Sequence, residues 1–224
     1  MGMWWLWVVG GYLCGSIPFG LLLGKAKGID IRQAGSGTIG ATNLTRLLGR
    51  PWGVLCFVLD VLKGAVPVVA AGASMGLLGE GDVPAADAWV WLAVGAAAVL
   101  GHVFPVWLKF KGGKGVATGV GVLAGFWPTL TLPGLCAFGT WVVLVSIFRY
   151  VSFASMIAAV SLPGFLFALA LLRGAEHAQL LPFYVVSALL VLLVVMRHRS
   201  NIARLLAGTE SKIGDSKVSS HQGS

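Results

Sequence analysis

Three glycines, Gly35, Gly37 and Gly40, stand at the spacing G-x-G-x-x-G in QAGSGTIGATNLTRLLG, residues 33–49. Glycine lets backbone amides approach an anion with no Cβ in the way, and a helix starting just behind adds its positive end. ATNLTRLLGR supplies such a helix. Ser36, Thr38, Thr42 and Asn43 offer hydrogen-bonding side chains, and Arg46 follows one turn later. This is phosphate-binding chemistry; the plainer alternative is a tight interhelical connection with a capped amphipathic helix. Asp60, twenty residues past the last glycine, completes the outline of a dinucleotide fingerprint. That fingerprint must follow a strand within a βαβ unit. Here an apolar span precedes the glycines, and Asp60 lies inside another, VLCFVLDVLKGAVPVV. A nucleotide-binding sheet is excluded.

A second segment, GHVFPVWLKFKGGKGVATGVG at residues 101–121, sets Lys109, Lys111 and Lys114 among apolar residues and the glycines Gly112, Gly113 and Gly115. A Walker A loop would need glycine where Leu108 stands and Ser or Thr where Gly115 stands. What remains is a basic glycine turn feeding a helix, suited to phosphate but not to ATP with magnesium. An ordinary basic loop is the alternative, although glycines on both sides of Lys114 serve no topological purpose. The third segment, MRHRSNIARLLAGTESKIG at residues 196–214, packs Arg197, His198, Arg199, Asn201 and Arg204 into a short helical stretch. His198 and Asn201 share a face, with Arg204 nearby. A basic helix lying on anionic lipid is the competing reading.

The elements that position these segments are membrane spans. Of the 224 residues, 57% are hydrophobic and 11% charged, where a soluble domain is about a quarter charged. Runs of about 20 apolar residues, the length needed to cross a bilayer, fall at 3–24, 51–76, 88–108, 115–128, 130–148, 151–172 and 179–196. The fourth is short and glycine-rich, so six is the competing count. The opening run lacks a basic n-region and reads as a retained first span. With seven spans, fourteen of the sixteen Lys and Arg residues fall on one face; Arg173 lies opposite and Lys63 lies within a span. The positive-inside rule then places the N-terminus outside and the C-terminus in the cytoplasm. The expected fold is an all-α integral membrane protein, one polytopic domain over 1–208 with a short polar cytoplasmic tail over 209–224. The net charge of +8 belongs to this cytoplasmic face, and no nucleic-acid partner is expected.

Ionisable residues within spans usually face a polar site. Asp60 and Lys63, three apart, can neutralise each other on one helix face. His102 fits a structural role at least as well as a catalytic one. Cys14, Cys56 and Cys136 lie in apolar stretches and read as small core hydrophobes, with no metal site and no disulfide framework. The chain has no G-x-S-x-G, no H-E-x-x-H and no His-x4-Asp signature.

Five segments, GSIPFG, GSGTIGATNLTRLLG, DVLKGAVP, GHVFPVWLKFKGGKGVAT and RHRSNIARLLAGTE, in this order and spanning nearly the whole chain, resemble the bacterial acyl-phosphate:glycerol-3-phosphate acyltransferases, the PlsY family. One departure is visible: Thr38 stands where the family loop usually has Asn. The resemblance implies seven spans in a bacterial inner membrane and an active site facing the cytoplasm. It implies transfer of a fatty acyl group from acyl-phosphate to the 1-hydroxyl of glycerol 3-phosphate, giving lysophosphatidic acid and phosphate without a cofactor. Carried over by motif, the phosphate-binding residues are Ser36, Thr42, Asn43, Arg46, Lys114, His198 and Asn201. Gly35, Gly37, Gly112, Gly113 and Gly115 shape the loops, and Lys111 and Arg204 extend the substrate-binding set. Ser36, Arg46, Lys114, His198 and Asn201 are the expected catalytic residues; Glu210 matches the third motif without an assigned role.

Acyl-phosphate is a mixed anhydride carrying a good leaving group, so the donor brings its own activation. The protein must gather two anionic substrates at the membrane surface, with the acyl chain lying between spans in lipid, and hold a hydroxyl against the acyl carbonyl. Three proton acceptors remain open: His198, less readily His102, and a phosphate oxygen of a bound substrate. The substrate phosphate is favoured because no His–carboxylate pair is apparent in the motifs. The rivals from other classes are a transporter of small phosphorylated anions, which an internal repeat would have favoured, and a lipid-surface scaffold.

Overall fold

Pro18 removes a backbone amide and pushes Ile17 out of the α region, which breaks the first apolar run. In the computed structural model, which describes residues 3–214, helix α1 (Trp4–Gly15) stops before this break and α2 (Phe19–Ala26) resumes after it. The first glycine loop follows and leads into α3 (Ala41–Leu48), then α4 (Arg50–Ser74) and α5 (Ala85–Val103). A 3-10 turn (Val106–Leu108) and the basic glycine turn lead to α6 (Val116–Gly125). Helices α7 (Thr131–Phe148), α8 (Val151–Arg173), α9 (Leu181–Arg197) and α10 (Arg199–Leu206) complete the chain. No strand occurs among the described residues.

Among the described residues, five helical runs are long and apolar enough to cross a membrane: Trp4–Ala26, Arg50–Ser74, Ala85–Leu108, Thr131–Phe148 and Val151–Arg173. Helices α9 and α10, bent by 57° at their junction, make a sixth. The fourth of the seven expected runs forms only the ten-residue α6. At 1.5 Å per residue it is about 15 Å long, half the thickness of a hydrocarbon core.

Apolar side chains gain little by meeting each other instead of lipid tails, so membrane helices associate where small residues let backbones close in. Two such seams organise this bundle. Gly11 and Gly15 of α1 lie against Val94 and Ala98 of α5, while Gly101 of α5 meets Tyr12 and Ser16. Gly64 of α4 lies on the Thr118 carbonyl of α6, and Gly121 and Gly125 of α6 lie on Val61 and Val68 of α4. Around these seams, Trp91 donates its indole N–H to the Val68 carbonyl at 2.8 Å and meets Phe126 edge-on at 4.7 Å. A second, smaller cluster of Leu21, Ile31, Ile39, Leu44 and Cys56 forms the floor of the first loop.

Helix α7 packs on α8, where the Trp141 indole donates to the Ser155 hydroxyl at 3.1 Å, and its remaining surface is apolar and exposed. This corrects the expectation of three core cysteines. Cys56 is buried, but Cys14 is only partly so and Cys136 on α7 is exposed, because it lies on a face of α7 turned away from α6 and α8. Residues 209–214 fold back onto the start of α8: the Ile213 amide donates to the Arg149 carbonyl at 2.8 Å. Residues 215–224 of the expected tail, with Lys217, lie outside the described residues.

Candidate active site

The first loop is built on Asn43. Its side chain is fully buried, and its Nδ2 donates to the carbonyls of Ile31 at 2.9 Å, Ala34 at 3.2 Å and Thr38 at 2.9 Å. Its Oδ1 accepts the Ser36 amide at 2.8 Å. The loop therefore wraps around this amide, which leaves the side chain no capacity for a ligand. Gly35 and Gly37 adopt left-handed conformations, φ 61 and 68, and a Cβ on Gly35 would run into Asn43 Oδ1. Ser36 and its hydroxyl are lifted to the surface, 3.0 Å from the Thr38 hydroxyl. The threonine departure thus gives Ser36 a hydroxyl partner. Thr42 and Arg46 follow on α3, half-buried and exposed respectively.

Replacing Asn43 by Ala is expected to orphan three carbonyls and the Ser36 amide, at a cost of about 2–3 kcal/mol. Thermal melting in lipid should show that loss. Asn43→Asp should be no milder, because a carboxylate turns the two donors into acceptors facing carbonyls.

The second loop doubles back on the end of α5. The Gly112 amide donates to the Val103 carbonyl and the Gly113 amide to the His102 carbonyl, both at 3.1 Å. Lys109 and Phe110 take left-handed conformations, φ 51 and 62, to make this turn. Glycine is required at the return: a Cβ on Gly112 would strike the His102 carbonyl, and one on Gly113 the His102 ring. Gly115, at φ 83, starts α6 and leaves Lys114 at the mouth.

The third loop closes the site from the other side. Asn201 Oδ1 accepts the Lys114 ammonium at 2.5 Å, while its Nδ2 donates to Glu210 Oε1 at 2.6 Å. The amide orientation follows, since an ammonium only donates and a carboxylate only accepts. Glu210 also accepts the Ser152 hydroxyl at 2.6 Å and Arg204 Nε at 2.7 Å. Arg197 Nη2 donates to the carbonyls of Gly112 at 3.3 Å and Gly113 at 3.1 Å, tying the second loop to the third. His198, buried at the α9–α10 bend, donates Nδ1–H to the Val194 carbonyl at 2.7 Å. In the neutral ring Nε2 is then an acceptor.

Electrostatics follow from this crowding. Burial, with the charges of Arg204, Arg46 and Arg197 outweighing Glu210, lowers the Lys114 ammonium to about 8. Burial and the Lys114 charge push His198 down to about 4. Glu210 is held below the usual carboxylate range: burial opposes this, and the bonds from Ser152, Asn201 and Arg204 overcome it. Lys114, Arg46, Arg204 and Arg197 against Glu210 leave the mouth cationic.

The structure thus brings together Lys114, Asn201, Arg204, His198 and, through its field at Lys114, Arg46. Lys111 is placed elsewhere, exposed with Arg32 and Trp107 around a separate recess of about 320 Å³. Ser152 carried no signal in the sequence, and Arg197 counted only as a basic residue. The expectation of no His–carboxylate pair is corrected: the fold brings His102 Nδ1 to 3.7 Å from Asp60 Oδ1. Those residues lie on different helices, 42 positions apart, so no local motif could have revealed the pair.

A bundle of apolar helices whose basic second and third loops are joined through Lys114–Asn201 and Arg197 defines an integral membrane protein with a cationic site. The chain's similarities sharpen this. A family model described as glycerol-3-phosphate acyltransferase matches residues 5–208. A glycerol-3-phosphate acyltransferase from Trichlorobacter lovleyi is 46% identical over 206 residues, covering 92% of this chain and 95% of that protein. One from Aquifex aeolicus is 43% identical over 205 residues, covering 92% and 96%. The fold matches a crystal structure of PlsY, an integral membrane glycerol 3-phosphate acyltransferase, in its glycerol 3-phosphate form. The TM-score is 0.81 and the identity 41%, covering 95% of this chain and 96% of that one. The lysophosphatidic acid form of PlsY gives 0.79. The chain belongs to the glycerol-3-phosphate acyltransferase family and, within it, to the PlsY proteins.

Proposed function

We propose that the protein transfers a fatty acyl group from acyl-phosphate to the 1-hydroxyl of glycerol 3-phosphate, releasing lysophosphatidic acid and phosphate. The observation that carries this reading is the Lys114–Asn201–Glu210 chain, which holds one ammonium within the field of three guanidinium groups, Arg46, Arg197 and Arg204. Two phosphate-bearing substrates need such a concentration of fixed cations and donors, and a metal ion is not required for it. The substrate hydroxyl attacks the acyl carbonyl, the new C–O bond forms, and the acyl–phosphate bond breaks. Lys114 and Arg46 stabilise the departing phosphate, while the Ser36 hydroxyl orients one of the phosphates. Asn43 acts from beneath, by shaping the loop that presents Ser36, and Asn201 and Arg204 hold Lys114 and Glu210 in register. The apolar acyl chain lies among the spans, in contact with lipid.

The proton goes to a phosphate oxygen of a bound substrate. Burial and the Lys114 charge disfavour protonation of His198, whereas a dianionic phosphate brings its own negative charge to the same cations. His198 is then a neutral acceptor that positions a hydroxyl through Nε2. We further propose seven membrane crossings, with α6 as a short one, the N-terminus outside, and the loops and C-terminus on the cytoplasmic side of a bacterial inner membrane. The basic loops support this orientation. Residues 1–208 form one domain, and Glu210 docks the start of the tail on it.

Purified protein in lipid should convert acyl-phosphate and labelled glycerol 3-phosphate to lysophosphatidic acid with one phosphate released per turnover. Product formation from acyl-CoA in place of acyl-phosphate would overturn the donor assignment, and uptake without product would overturn the reaction.

A further inference from the structure

Three ionisable residues lie buried in the spans beneath the mouth, and none of them touches it. Asp60 and Lys63 of α4 form an ion pair at 2.7 Å, with side chains 3% and 2% exposed. His102 of α5 lies beside them, Nδ1 3.7 Å from Asp60 Oδ1. Buried charge in a span is expensive, and removing one partner leaves the other uncompensated. A bundle already held by two glycine seams and a large aromatic core does not need it for cohesion. The contacts of this cluster point to another use.

Each member reaches a different segment. Lys63 Nζ donates at 2.8 Å to the Ile17 carbonyl, inside the break between α1 and α2, which also accepts the Phe19 amide at 3.1 Å. Asp60 Oδ2 accepts the Cys56 thiol at 3.7 Å. Cys56 belongs to the floor on which the first loop rests, where Gly20 of α2 lies against both it and the Ile39 carbonyl. The His102 carbonyl accepts the Gly113 amide, and the His102 ring fills the space in which Gly113 has no side chain. One buried cluster therefore touches the break that starts α2, the floor of the first loop and the underside of the second loop.

We propose that Asp60, Lys63 and His102 form an intramembrane strut that sets the spacing between the Ser36 loop and the Lys114 loop, as positioning residues for the acyl-transfer site. The inference rests on the reaction proposed above only for its kinetic readout. Productive phosphate contacts tolerate little displacement, since an error of about 1 Å can lower a rate 100-fold. The strut's influence on Lys114 is one backbone step long, through the Gly113 amide.

The test compares Asp60→Asn with Trp91→Phe in full-length protein in lipid. Trp91→Phe removes one buried hydrogen bond from the aromatic core and touches neither loop. The strut predicts that Asp60→Asn raises KM for glycerol 3-phosphate at least tenfold in the folded fraction. Trp91→Phe should leave KM within twofold of the native value even where its melting temperature falls. A purely structural Asp60 would lower only the melting temperature and the amount of active protein; an unchanged KM overturns the proposal. If Asp60→Asn alone does not fold, Asp60→Asn combined with Lys63→Met removes both charges together. It still severs the Ile17 link, so KM should stay raised at least tenfold, and a native KM in that double variant overturns the strut. Amide hydrogen exchange gives a second reading that is independent of activity. Gly112 and Gly113 should exchange at least tenfold faster in both strut variants and at the native rate in Trp91→Phe. If native protein shows no acyl transfer, the reaction fails while exchange still decides the strut; native protection in the strut variants overturns it.

Discussion

Replacing Lys114 by Met is expected to lower kcat/KM for acyl transfer by about 100- to 1,000-fold, the usual loss when one fixed donor to a developing charge is removed. Methionine keeps the length of the chain and much of its apolar stem, so the loop's backbone bonds to Val103 and His102 remain. Only the ammonium is lost. Its removal also leaves Asn201 Oδ1 without the donor 2.5 Å away. The native enzyme should show a matching pH signature. Because Lys114 is lowered to about 8, the charged form predominates below that pH, and kcat/KM should fall as pH rises through it. Fold stability should move the other way. Between about 8 and the ordinary 10.5, the unfolded chain binds more protons at this residue than the folded one. Stability therefore rises with pH across that window. A decline in activity without a decline in melting temperature separates loss of the charge from loss of the fold. In Lys114→Arg the alkaline limb should disappear from the measurable range, since a guanidinium stays protonated. A Lys114→Met enzyme with native kcat/KM would remove Lys114 from the site.

Glu210→Gln should produce the second large effect, and a different one. The carboxylate is 6% exposed and accepts from Ser152, Asn201 and Arg204. Glutamine preserves the size but sets an amide N–H₂ against donors. At least one of the three bonds must break, and the others lose their charge assistance. The expected destabilisation is about 2–4 kcal/mol, with the Arg204 bond contributing least because its guanidinium is 44% exposed. Activity should fall at least about 100-fold, because the Asn201 bond that turns its Oδ1 toward Lys114 loses its charge assistance and the Arg204 anchor is broken. Melting temperature and kcat/KM should fall together here, whereas in Lys114→Met only the second falls. Ser152→Ala, which removes one donor of the three, should cost about 1 kcal/mol. Native kinetics in Glu210→Gln would reduce this residue to a peg that docks the tail.

The three segments that meet at the mouth were legible in the sequence because each is a local pattern. Glycines placed for close backbone approach, a lysine between two of them, and a His-x-x-Asn on a basic helix need no knowledge of what lies across the bundle. Two features were legible only in outline. Asp60 and Lys63 were expected to neutralise each other, since i and i+3 share a helix face, and they do so at 2.7 Å. That His102 joins them depends on how α4 and α5 pack. Asn43 was read as one more polar group of an anion loop. The fold instead turns it inward, because four backbone groups of the loop need partners that one side-chain amide can supply.

Sequence alone determined the membrane class, the all-helical character, the three polar segments and their basic sign. Apolar run length, glycine spacing and charge are properties of neighbouring residues. Only the tertiary structure decided which polar groups became one site and which became its support. Lys114, Ser152 and the Asn201–Glu210 pair come from three separate stretches, and a hydrogen bond between residues 87 positions apart leaves no periodicity to read. The same closure separated Lys111 from Lys114, three residues away, because the left-handed turn at Lys109 and Phe110 sends one lysine outward and the next inward. Spacing along the chain determined what chemistry was available, and the direction of each side chain, decided by packing, determined where it would be used.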